Sequence, residues 1–123
     1  MERKLMLVDD DENILALLKM KLEKTGRFTI VATEDATKAV TLAAREAPDL
    51  IICDIDMPEM TGGDVATALA ENKRTSSIPV LFLSSLIPKG EAAKGVQVAG
   101  GRRMVSKYAS IGLLIEAIDE TFK

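Results

Sequence analysis

The chain has 123 residues, 47% of them hydrophobic, which fits one domain spanning 1–123 with a substantial core. A formal net charge of -3, with 16 Lys and Arg spread along the chain, excludes the concentrated basic face that direct nucleic-acid binding needs. The absence of histidine excludes His-based catalysis, a His metal site and a phosphohistidine carried by this chain itself.

Residues 5–8 (Leu-Met-Leu-Val) are apolar at every position, the pattern of a strand buried on both faces. Ile14, Leu17, Leu18 and Leu22 fall at helical spacing, and Thr25-Gly26 ends that helix. A second strand is expected over 28–32. A helix capped within 33–35 follows, with Val40, Ala43, Ala44 and Ala47 on its inner face, and Pro48 ends it. Residues 50–53 form another buried strand that closes on Asp54. A loop over 57–63, with Pro58 and two glycines, leads into a helix over about 64–72. The fourth strand is expected over 78–83 and ends at Ser84-Ser85. Residues 89–101 are helix-like but broken by Gly95, Gly100 and Gly101, and a short fifth strand covers 102–106. Ile111, Leu114, Ile115, Ile118 and Phe122 describe a final amphipathic helix.

No run approaches the roughly 18 apolar residues of a membrane span, and the N-terminus has no signal-peptide core. Cys53 is the only cysteine, so a reducing cytoplasmic compartment is expected.

Strand and helix alternate five times. This predicts an α/β fold with a five-stranded parallel sheet and helices on both faces, doubly wound and flavodoxin-like. Ligands in such sheets bind beyond the carboxyl ends of the strands, near the switch point in strand order. The first strand ends in Asp9-Asp10, the third in Asp54, the fourth in Ser84 and the fifth in Lys107. Carboxylates brought together repel, and a hard divalent cation such as Mg2+ relieves that repulsion. A carboxylate is also a competent nucleophile for phosphoryl transfer. The transferring group needs positive charge and donors around its oxygens, which Mg2+, Lys107 and the Ser84 hydroxyl supply. Taken singly, each residue has a commoner explanation: Asp10 or Asp11 can cap the first helix, Ser84 is an ordinary loop residue, and Lys107 is a solvated lysine. Their arrival together, each at the end of a different strand, points to one site.

With these residues in place, the chain resembles the receiver domain of two-component response regulators over essentially its whole length. Residues 5–10 resemble the family's acidic opening, 54–62 (Asp-Ile-Asp-Met-Pro-Glu-Met-Thr-Gly) its phosphorylation segment, and 79–85 its fourth strand with the switch hydroxyl. The resemblance implies that Asp54 is the phosphoacceptor. It further implies that Asp10 binds Mg2+ directly, Asp9 mainly through water, and Asp56 through its backbone carbonyl. Ser84 would move toward the phosphoryl group and Lys107 would pair with it. The implied donor is a sensor histidine kinase or phosphotransfer protein acting in trans, and the implied output is a partner protein or domain read through the face of the fourth helix, fifth strand and fifth helix. Arg102, Arg103 and Tyr108, on or near that face, are the expected partner contacts, and a phosphorylation-dependent homodimer through it belongs to the same expectation. The protein would then be a signalling switch rather than an enzyme, taking phosphate from small donors with Mg2+ and releasing it slowly.

Three positions depart from the family pattern. Lys107 precedes Tyr108 instead of a cis-proline, so a trans bond is expected, since a non-proline cis bond costs about 3 to 4 kcal/mol. Met104 stands where a rotating aromatic is usual. The Asp56 side chain lies near the approach of a hydrolytic water. Two other readings compete: a receiver-like interaction module without phosphorylation, and a haloacid-dehalogenase-type phosphatase, which 51–56 (Ile-Ile-Cys-Asp-Ile-Asp) resembles. The motif of the latter normally lies on the first strand, and here two strands precede it.

Overall fold

The computed structural model describes residues 2–57, 60–85, 97–99 and 102–122, with 97–99 and 102 as backbone alone. In chain order the elements are β1 (Arg3–Val8), α1 (Glu12–Glu23), β2 (Phe28–Thr33), α2 (Ala39–Glu46) after a 3-10 turn at Ala36–Lys38, β3 (Leu50–Asp54), α3 (Gly62–Glu71), β4 (Val80–Ser84), β5 (Gln97–Ala99), β6 (Arg102–Ser106) and α4 (Ile111–Thr121).

The strands form one sheet in the order β2-β1-β3-β4-β6-β5. The first five in that order run parallel. Their residues alternate between two cores, as the period of two in a strand requires. Leu5, Leu7, Leu50, Ile52, Leu81, Leu83 and Val105 face α1 and α4, meeting Leu15, Leu22, Leu114 and Ile118. Met6, Val8, Ile51, Cys53 and Phe82 face α2 and α3, meeting Ala39, Ala43, Val65 and Leu69. Covering both faces is why β1 over 5–8 and β3 over 50–53 are apolar at every position. Each fully buried Leu, Ile or Val contributes about 1.5 to 3 kcal/mol relative to exposure.

Local chemistry sets the helix ends. Asp11 caps α1 by accepting from the N–H groups of Asn13 (2.9 Å) and Ile14 (3.4 Å). Gly26, at φ 74°, turns the chain into β2 in a conformation that favours glycine. Thr61 and Asp64 form a reciprocal capping box at α3, so that helix begins at Gly62, two residues earlier than expected.

The helix-like stretch expected over 89–101 needs correction at its end. Gln97–Ala99 is a sixth strand, antiparallel to β6 in the register Gln97↔Met104, Val98↔Arg103 and Ala99↔Arg102. Gly100 and Gly101 separate two short segments that pair in this way, a hairpin spacing that a helical reading overlooks. The remainder of the expected fourth helix lies outside the described residues, and so does Pro58-Glu59 of the acidic loop. Among the described residues, no helix is long and apolar enough to cross a membrane.

Candidate functional site

From β1 the chain passes to β2 on one side of the sheet and then to β3 on the other, so the switch point lies between β1 and β3. Val8 pairs with Cys53 across that boundary. Asp9, the residue after β1, and Asp54, the last residue of β3, therefore emerge side by side. They are 2% and 1% exposed. One oxygen each from Asp9, Asp10 and Asp54 lies within 4.8 Å of the other two. Because Asp11 is the residue that caps α1, Asp10 is left for the rim. The Asp11 N–H also donates to Asp9 Oδ1 at 2.9 Å, which fixes that carboxylate.

Lys107 follows β6 and points across the rim. Its Nζ lies 2.9 Å from Asp54 Oδ2 and 3.4 Å from Asp9 Oδ2, and its side chain is 17% exposed. The Lys107 N–H donates to the Ser84 carbonyl at 3.0 Å, tying the end of β6 to the end of β4. Ser84 itself is buried and follows Leu83, the register partner of Asp54. Asp56 is exposed. Its N–H donates to Asp54 Oδ1 at 3.0 Å, while its carboxylate accepts from the Ser85 hydroxyl at 3.2 Å.

The electrostatics follow from crowding. Burial raises the Asp9 pKa, the Asp11 N–H pulls it back and the Asp54 charge raises it again, leaving it at about 6. At Lys107, burial draws the ammonium down, but the Asp54 and Asp9 carboxylates outweigh it and hold the group above its usual value. Burial, with the Asp54 and Asp9 charges behind it, pushes the Cys53 thiol up to about 12, which makes that cysteine inert packing.

Asp9 Oδ2 and Asp54 Oδ2 are both buried, and among the described residues they share one partner, the Lys107 ammonium. Two buried carboxylates sharing a single lysine, beside a third, exposed carboxylate, make an all-oxygen donor set that suits a hard divalent cation such as Mg2+.

The structure thus brings Asp9, Asp10, Asp54 and Lys107 together, sets Ser84 on the adjoining strand end, and places the Asp56 backbone but not its carboxylate against Asp54. No cis peptide occurs among the described residues, so the Lys107–Tyr108 bond is trans as expected. Tyr108 is exposed beyond the rim. Met104 is half-buried and packs on the Met6 side of the sheet. Arg103 of the expected interaction face is engaged with the end of α4, donating to Thr121 Oγ1 at 2.7 Å.

One residue escaped the sequence reading. A Cβ on Gly62 would stand 2.7 Å from both the Asp54 carbonyl oxygen and the Ile55 Cα, so α3 packs directly against the backbone of the acidic strand end. Within the sequence Gly62 closes the segment 54–62 and reads with Gly63 as a turn, with no sign of this close packing.

A family model for the response regulator receiver domain matches residues 5–119. DivK of Brucella ovis, a polar-differentiation response regulator, is 31% identical over 118 residues, covering 96% of this chain and 94% of DivK. PhoP of Bacillus subtilis, an alkaline phosphatase synthesis transcriptional regulatory protein, is 28% identical over 109 residues. That match covers 89% of this chain but 44% of PhoP, so the chain spans less than half of that relative. Among solved structures, a response regulator from Desulfuromonas acetoxidans superposes with a TM-score of 0.80 at 30% identity, covering 98% of this chain and 96% of the other. The chemotaxis protein CheY4 of Vibrio cholerae shares the fold, with a TM-score of 0.81 at 23% identity and 98% of both chains covered.

Proposed function

The chain belongs to the response regulator receiver domain family, and from that premise we propose that it is a phosphoacceptor switch which takes a phosphoryl group on Asp54. The observation that carries this reading is the pair of buried carboxylates on Asp9 and Asp54 that share the Lys107 ammonium at the switch point of the sheet.

In the proposed reaction, a carboxylate oxygen of Asp54 attacks the phosphorus of a phosphohistidine on a sensor kinase or phosphotransfer protein. A P–O bond forms, the P–N bond breaks, and the imidazole leaves with a proton from solvent. Asp54 is oriented for this by the Asp56 N–H on Oδ1 and the Lys107 ammonium at Oδ2. Asp9, Asp10 and Asp54, with the Asp56 backbone carbonyl, would hold a Mg2+ ion whose charge, when bound, offsets that of the incoming phosphoryl oxygens. Lys107 supplies a second cation from the opposite side of the rim. Ser84 is the hydroxyl positioned on the next strand end to approach the phosphoryl group. Its movement biases the surface that an output domain, a target protein or a second copy of the chain reads.

The test is intact-mass analysis after incubation with Mg2+ and a small acyl phosphate. Wild type should gain one phosphoryl group, and Asp54→Asn, or wild type with the metal chelated, should gain none. A wild type that gains nothing sinks the acceptor reading in favour of a silent interaction module.

A further inference from the structure

The hydrogen bonds and ion pairs around Asp54 close on themselves. From Asp54 Oδ1 one path runs through the Asp56 N–H at 3.0 Å to the Asp56 carboxylate, whose Oδ2 accepts from Ser85 Oγ at 3.2 Å. From Asp54 Oδ2 the other path runs through Lys107 Nζ at 2.9 Å to the Lys107 N–H, which donates to the Ser84 carbonyl at 3.0 Å. Ser84 and Ser85 are chain neighbours, so the two paths meet. The acceptor carboxylate sits inside a ring built from the ends of β3, β4 and β6.

We propose that the Asp56–Ser85 hydrogen bond is a clasp that holds this ring shut in the unphosphorylated protein, which makes Ser85 a positioning residue that opposes the switch. The inference rests on Asp54 being the phosphoacceptor. The clasp is the link at which the ring opens. Asp54 and Ser84 are buried and Lys107 nearly so, whereas Asp56 and Ser85 are both exposed and water competes for their bond. It also ties the loop after β3 to the loop after β4 across 29 residues of sequence, so it restrains one against the other. The Asp56 carboxylate is not one of the three that cluster at the rim, which leaves it to serve this contact. A phosphoryl group on Asp54 adds negative charge two residues from that carboxylate, and like charges so placed repel. Any approach of Ser84 to the phosphoryl group carries Ser85 with it, and the clasp parts. Unphosphorylated and phosphorylated arrangements are thereby separated by the making and breaking of one exposed bond.

The experiment compares wild type, Ser85→Ala, Ser85→Thr, Asp56→Ala and the Asp56→Ala/Ser85→Ala double variant. All sites are exposed, so folding is preserved. Phosphoryl uptake from a small acyl phosphate with Mg2+ should be about two- to fivefold faster in Ser85→Ala, on the scale of one hydrogen bond. Ser85→Thr should behave as wild type, and removing Ser85 should change nothing further in the Asp56→Ala background. Amide hydrogen exchange over 54–57 in the unphosphorylated proteins should rise in Ser85→Ala and Asp56→Ala and stay low in Ser85→Thr. Uptake and exchange in Ser85→Ala equal to wild type would overturn the clasp, and so would an equal gain from Ser85→Ala whether or not Asp56 is present. If wild type takes no phosphoryl group, the acceptor reading and the switch role fall together. Hydrogen exchange then still decides whether the clasp exists.

Discussion

The two ends of the parallel sheet handle charge in opposite ways. At the amino ends of the strands, cations arrive with partners. The Arg3 guanidinium lies 3.8 Å from the centroid of the Phe122 ring, Arg27 pairs with Asp119, and Arg103 reaches both Thr121 and Glu120. Lys4 donates its N–H to Asp49 and sets its ammonium against Glu46. These contacts hold the last turn of α4, and the end of α2, to the sheet. At the carboxyl ends, three carboxylates share a small volume, two of them buried, with Lys107 as the cation between them. One end pairs its charges off within the fold, and the other sets three carboxylates against a single lysine. Local conflict of that kind marks where a fold gives up stability for function.

The contrast is most exposed at Asp9. Burial holds its pKa at about 6 against the ordinary 3.8, so the metal-free fold binds the proton more tightly than the unfolded chain does. The stability that the protonated form contributes is present below about pH 4 and is lost as pH rises through about 6. Asp9→Asn removes that loss. In chelator the variant should exceed wild type at pH 8 by up to about 3 kcal/mol in urea denaturation, and it should gain less than wild type from added Mg2+. No gain at pH 8 would show that Lys107 already compensates the buried charge.

Gly62→Ala tests the packing that supports the same rim. The new methyl meets backbone atoms at 2.7 Å, so α3 or the Asp54 carbonyl has to shift. The expected cost is about 1 to 3 kcal/mol, with slower phosphoryl uptake because the proposed acceptor, Asp54, is displaced. Unchanged stability would mean that α3 retreats freely. Arg27→Ala, at the opposite end, removes an exposed ion pair. It should cost less than about 1 kcal/mol, shrink further in high salt and leave phosphoryl uptake untouched. A change in phosphoryl uptake would show that the amino end also bears on the switch.

Much of this arrangement was legible before folding. The runs at 5–8 and 50–53 announced strands covered on both faces because every position is apolar. A parallel βα alternation sends every strand's carboxyl end to one rim, so Asp9, Asp10, Asp54, Ser84 and Lys107 could be gathered there from chain order alone. The helical reading of 89–101 missed β5, because a three-residue strand has too little periodicity to be recognised without its partner, Arg102–Ser106. The residues alone allowed either Asp10 or Asp11 to cap α1, and it was the family resemblance that sent Asp10 to the metal. The geometry gave the cap to Asp11 and the rim to Asp10, since only a folded turn decides which carboxylate meets the free N–H groups.

By itself, then, the sequence determined the order of elements, the two-faced core and the chemical types on the rim, because these follow from local periodicity and from the one-way sense of βα connections. Only the tertiary structure decided that Asp9 and Asp54 share one lysine, why Gly62 admits no side chain, and how Asp56 meets Ser85. Those are contacts between segments distant in the chain, and distances of 3 Å are set by how helices and strands pack, which no local pattern encodes.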